Sequence, residues 1–153
     1  MKGVQDYYPD HFGKCYGCGR LNADGYQIKT FWNGDETITR FTPKDYHTAI
    51  PGFVYGGLLA SLIDCHGTGS AALALAKENN IELKDYNAPR CVTASLKVDY
   101  KKPTPIGVEL EIRGIIKEVK GRKVVVEAQL LAGGEVCVTG EIVAIQVKDD
   151  FGK

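Results

Sequence analysis

The stretch GFVYGGLLASLIDCHGTGSAALALA, residues 52–76, decides the fold. Leu58 and Leu62, with Leu59 and Ile63, recur at helical spacing, and Ala71, Leu73 and Leu75 carry the pattern into the polar run KENN. Apolar and small residues occur nearly all round the first half. That predicts a helix over 56–78 enclosed by other structure. Gly67 and Gly69 each cost about 1 kcal/mol in a helix relative to Ala. They mark either a close neighbouring backbone or a weak point. Asp64 stands in the middle of this run. A carboxylate is costly there unless it is paired or put to use, so Asp64 is a candidate functional group.

The flanking segments alternate. YQIKTFWNGDETITRFTP reads as a β-hairpin with Tyr26, Ile28, Thr30 and Trp32 on one face and Asn33-Gly34 as its tight turn. CVTASLKVDYKKP sets Val92, Ala94, Leu96, Val98 and Tyr100 against Thr93, Ser95, Lys97 and Asp99. VELEIRGIIKEV sets Val108, Leu110 and Ile112 against Glu109, Glu111 and Arg113. KGRK turns the chain into VVVEAQLL, and Gly133-Gly134 turns it again into EVCVTGEIVAIQV. A hairpin, a long helix and an antiparallel meander form an α+β solution: one curved sheet wrapped around one central helix. Residues 1–23 show no clear period and are expected to wrap the domain as loop or short helix. No repeat or linker divides residues 1–153, which read as one domain.

Nineteen basic and nineteen acidic side chains give a formal net charge of zero, with no long single-sign run. Sequence-independent nucleic-acid binding is therefore not expected. The apolar stretch carries Asp64, His66 and several glycines, a poor membrane span. The opening MKGVQDYYPDHFGK has no apolar signal segment, so a cytoplasmic location and reduced cysteines are expected.

The motifs, taken in order, resemble the hotdog-fold thioesterases, specifically the phenylacetic-acid-type acyl-CoA branch. PGFVYGGLLASLIDCHG is similar to that family's PGxVHGGxLATLxDxxxG, and VTASLKVDYKKP to its VTxxLxVxYxxP. KGRKVVVEAQL is similar to its GR turn, and CYGCGRLNADG to the CxxCGxxNxxG lead-in of some members. The resemblance runs roughly over residues 15–147. It implies acyl-CoA thioester hydrolysis without a cofactor. Asp64 takes the position of the catalytic acid, Gly56 that of the amide that polarises the carbonyl, and Thr68 that of a Thr one turn beyond. Asn22 falls in the lead-in. Lys101, Lys102, Gly121 and Arg122 flank strand ends near where CoA phosphates lie in relatives.

The residues carry their own argument. A thioester carbonyl gains negative charge when attacked, and a helix start offers unpaired N–H groups and a positive dipole end. Gly56 and Gly57 leave those amides open to a ligand; the plainer alternative is a Gly pair opening a helix in a tight corner. Asp64 can attack the thioester or activate a water, or be a buried acid held by backbone or Thr partners. Thr68 lies four residues on, on the same face, where it can orient the carboxylate or bond its own helix backbone.

Gly56 and Asp64 are eight residues apart, about 12 Å along a straight helix. One chain cannot bring both to one carbonyl unless the helix is bent or begins later. Two antiparallel helices across a two-fold axis can, so an isologous homodimer is expected, alone or as a dimer of dimers.

Tyr55 stands where many relatives have His; it can donate a hydrogen bond but is no base near neutral pH. His47 lies in the preceding loop, near the site or simply at the surface. His66 projects from another side of the helix and reads as a packing or interface residue and not a triad member. Cys15-x-x-Cys18 lacks a second half-site, so no metal is expected; Cys65, His66, Cys91, Cys137 or His11 could join it only through folding. Two other functions compete with hydrolysis: non-catalytic acyl-CoA binding, kept open by Tyr55, and a hydratase or dehydratase, for which the helix start offers no clear Asp-x4-His pair.

Overall fold

The apolar run forms a single helix in the computed structural model, which describes every residue from Met1 to Lys153. This helix, α1 (Gly56–Glu78), has the bounds that the periodicity predicts. From Leu62 to Ala76 every residue except Asp64 is buried. By length and composition α1 also matches a membrane span, yet the sheet and the N-terminal segment cover most of it.

Six strands surround it: β1 (Phe31–Asn33), β2 (Glu36–Phe41), β3 (Cys91–Tyr100), β4 (Leu110–Lys120), β5 (Lys123–Ala132) and β6 (Glu135–Gln146). They form one antiparallel sheet in the order β1-β2-β4-β5-β6-β3. The inward faces of β4, β5 and β6 supply Leu110, Ile112, Val124, Val126, Leu130 and Ile142 to the core against α1. The turns fall at Gly34, Gly121 and Gly133-Gly134, all at positive φ, which a glycine adopts without strain. This is the expected hotdog arrangement, with β1 and β3 as its edges.

Gly67 and Gly69 mark close approach, not weak points. A Cβ at Gly67 would lie 2.5 Å from Ile142 Cγ1 and 2.7 Å from its Cβ. At Gly69 it would lie 2.6 Å from Gln5 Nε2 and 2.7 Å from Thr30 Oγ1. Gly140 on β6 answers in kind, since a Cβ there would fall 2.6 Å from Ile63 Cγ2.

Two expectations change. The first strand of the hairpin is only Phe31–Asn33, because residues 26–30 pair with the N-terminal segment instead. Tyr26 and Ile28 donate to the Tyr16 and Gly17 carbonyls, and Thr30 accepts from Val4. That segment includes two short 3-10 helices, Val4–Tyr7 and Asp10–Phe12, and Val4 and Tyr8 pack on Ala72 and Leu73 of α1.

The second change is in β3. Its register against β6 slips between Thr93 and Ser95, leaving Ala94 as a bulge. A bulge inserts one residue and reverses the alternation beyond it. Cys91 and Thr93 therefore face α1 before the bulge, and Val98 and Tyr100 face it afterwards. Val92 and Ala94 do not share a face with Val98 and Tyr100.

Gly67→Ala isolates the close contact. In an open helix this change stabilises by about 1 kcal/mol. Here the new methyl meets a branch point fixed on β6, and overpacking costs about 1–3 kcal/mol. Urea unfolding should show a net loss of roughly 1 kcal/mol; a raised midpoint would mean that Ile142 yields without cost.

Candidate active site

Two groups of candidate residues lie along α1. The first is at its N-terminus. Tyr55, the N-cap, contributes no side-chain cap, and the amides of Gly56 and Gly57 donate to no acceptor in the chain. The Tyr100 hydroxyl donates to the Gly56 carbonyl at 2.7 Å and pins this first turn to the end of β3. A cleft of about 440 Å³ opens beside it, with Phe53, Val54 and Leu59 as apolar lining and Lys101, Lys102 and Thr104 as polar lining. Nothing inside the chain demands glycine at position 56. A Cβ there would sit 3.6 Å from the Tyr100 ring, an ordinary contact. The tight-corner explanation therefore fails at Gly56. It fits Gly57, where the Tyr55 ring would overlap a Cβ.

The second group is two helical turns on. Asp64 is half-buried, and the Thr93 hydroxyl of β3 donates to its Oδ1, leaving Oδ2 without a partner. Thr68 makes no hydrogen bond to Asp64; its hydroxyl donates to the Cys65 carbonyl at 3.2 Å. The threonine that orients the acid is Thr93. The simple alternation of β3 points Thr93 away from the helix, so only the bulge signal could have found it. Thr104 also escapes a pattern reading: its hydroxyl is buried and unpartnered, at the wall of the cleft.

The helix is continuous between the groups, so within one chain they stand about 12 Å apart. Gly57, Ala60, Ser61 and Asp64 form a stripe along α1 that the sheet leaves uncovered. Beside the stripe runs β3, an edge strand with Ala94, Ser95 and Leu96 exposed.

The other candidates are scattered. Lys102 lines the cleft at the Gly56 end and pairs loosely with Glu135 at 3.5 Å. Arg122, in the β4–β5 turn, donates to the Gln146 carbonyl at the opposite end of the sheet. Asn22 is a turn residue, accepting from the Asp24 amide and donating to the Lys14 carbonyl. His47 packs among Tyr26, Phe41 and Tyr46, and its carbonyl accepts from the Tyr55 amide at 2.9 Å. Its Nδ1 accepts from the Lys44 amide, and burial, helped by Lys44, holds its pKa below the usual value.

A family model described as the thioesterase superfamily matches residues 51–143. The chain belongs to the thioesterase superfamily. The acyl-coenzyme A thioesterase THEM4 of Xenopus laevis is 30% identical over 126 residues, covering 81% of this chain and 51% of that protein. The chain thus spans about half the length of that relative. A crystal structure of a thioesterase superfamily protein from Shewanella loihica PV-4 is 55% identical, with a TM-score of 0.66, over 80% of this chain and 93% of that one. A hypothetical thioesterase of Streptococcus pneumoniae TIGR4, solved with coenzyme A, has a TM-score of 0.63 over 78% of this chain and 88% of that one. At 13% identity it shows the shared fold alone.

Helix α1 also carries a buried histidine. His66 is fully buried; its Nδ1 bonds Thr39 Oγ1 at 2.8 Å, and its Nε2 faces Thr37 at 3.3 Å and Ser70 at 3.4 Å. The network continues through Thr30 to Gln5 of the N-terminal segment. It is a packing histidine, as its helix position suggests.

Burial pushes the His66 pKa from 6.5 down to about 3. The unfolded chain thus binds the extra proton across that interval. His66's stability contribution is complete above pH 6.5 and is lost progressively as pH falls toward 3. Urea unfolding across this range should show a shallower pH slope for His66→Gln than for wild type. Parallel slopes would mean that His66 is not held neutral by the fold.

Proposed function

We propose that this chain hydrolyses acyl-CoA thioesters as a two-fold dimer, with each site built from Gly56 of one copy and Asp64 of the other. The observation that carries this reading is the α1 stripe. It places two free amides and a half-used carboxylate on one uncovered face, too far apart to meet within a chain. The unpaired edge of β3 runs alongside, and pairing it with a second β3 would lay the two helices antiparallel. That brings the Gly56 and Gly57 amides of one copy to the Asp64 of its partner. Acyl-coenzyme A thioesterase as the name of a relative supports the substrate class.

In this site the thioester oxygen accepts from the glycine amides, which stabilise the charge that grows there. Thr93 holds Asp64 Oδ1, so Oδ2 is the atom that takes a proton from water or attacks the carbonyl carbon. Lys102 beside the cleft suits the CoA phosphates. Tyr55, over Gly57, serves as a hydrogen-bond donor and not as a base. Because Tyr55 replaces the histidine of many relatives, binding without turnover is the second reading. A thiol-release assay over a panel of acyl-CoA esters separates the two.

Asp64→Asn should fold normally and lose about 10²–10⁴ in kcat, the usual contribution of a positioned base. Unchanged turnover would remove Asp64 from the chemistry. Gly56→Ala should keep its stability, because the chain itself has room for the methyl, yet lose kcat/KM. Mixing the two inactive variants tests the shared site. A mixed dimer rebuilds one intact Gly56–Asp64 pair, so random exchange should restore about a quarter of wild-type activity. No recovery after verified subunit exchange would place both groups in one chain's site.

A further inference from the structure

A third cluster lies on the next side of α1 and plays no part in the proposed hydrolysis. Cys15 and Cys18 from the N-terminal segment meet Cys65 from the helix, and the three sulfurs lie within 4.8 Å of one another. The spacing of the C-x-x-C supplies no second half-site; the fold supplies a third sulfur from 47 positions beyond Cys18. The loop is shaped around that sulfur. A Cβ at Gly17 would overlap Cys65 Sγ, and one at Gly19 would lie 2.5 Å from the Cys15 amide nitrogen.

The geometry matches a shared ion. Cys15 and Cys65 sulfurs are 3.8 Å apart. Two sulfurs bonded tetrahedrally to one zinc at about 2.3 Å stand about 3.8 Å from each other. The surroundings match as well. Arg90, half-buried and stacked 5.0 Å from the Tyr8 ring, lines a cleft together with Cys15. Three thiolate charges are balanced by two on a zinc ion and one on Arg90, so the buried assembly is neutral. That cleft of about 230 Å³, lined by Cys15, His11, Arg90 and Val92, gives access to Cys15.

We propose that Cys15, Cys18 and Cys65 bind one zinc ion as thiolates, tying the N-terminal segment to α1. Binding exchanges the thiol protons for the ion. The residue that completes the site, Cys65, directly follows Asp64, so the ion fixes the helix at the turn that carries the carboxylate. This site stands whether or not the chain hydrolyses thioesters.

The test is a cobalt titration of the full chain, reduced, stripped with a chelator and shown to be folded by circular dichroism. A sulfur-to-cobalt charge-transfer band should rise to one equivalent per chain, and zinc should abolish it. Zinc should also raise the Tm. Cys15→Ser, at a half-exposed loop position, should weaken binding by more than the roughly 10–100-fold that loss of an outer partner costs. Cys137→Ser should bind as wild type. A folded, reduced wild-type chain that gives no charge-transfer band overturns the proposal. So does cobalt binding unaffected by Cys15→Ser, or a Cys15 disulfide formed by a chain that takes up no cobalt when reduced.

Discussion

The closeness of α1 to β6 is the constraint on which the rest of the structure depends. Gly67 lets Ile142 reach the helix backbone, and Gly140 lets Ile63 reach the strand. Each glycine removes the side chain that would hold the two layers apart, and a branched aliphatic residue fills the gap. The helix is thereby seated deep in the curve of the sheet, with nearly all its sides buried. A helix so seated cannot rotate or slide, because its contacts interlock on both partners.

That fixed seat turns successive residues of α1 to different neighbours. Each residue advances about 100° around the axis. Asp64 faces Thr93 on β3, Cys65 faces the C-x-x-C loop, and His66 faces Thr37 and Thr39 on β2. Three adjacent polar side chains thus find three separate environments. One is half-open and charged, one is a thiol cluster, and one is a sealed hydrogen-bond network. The cost of placing polar groups in an apolar helix is offset locally at each.

The open side of the helix has a different logic. Glycine, alanine and serine line it, β3 borders it with an unpaired edge, and the free amides and free carboxylate oxygen lie at its two ends. Long edge strands invite pairing. In the proposed dimer an antiparallel partner would cover this edge and, in the same step, set one copy's helix start against the other copy's acid.

The local pattern by itself determined α1 to the residue, the Asn33-Gly34 turn, the β4–β5–β6 meander and the candidacy of Gly56 and Asp64. These depend on periodicity, turn chemistry and the cost of a lone acid in an apolar run, all of which act within a few residues. The tertiary structure alone decided the rest. A bulge at Ala94 turned Thr93 inward, against the alternation that its neighbours predict. The N-terminal segment captured residues 26–30 by backbone pairing and shortened β1. The C-x-x-C met Cys65, and Thr68 turned to its own helix backbone. Each of these outcomes rests on a contact between distant positions, where strict spacing along the chain carries no information about distance in space.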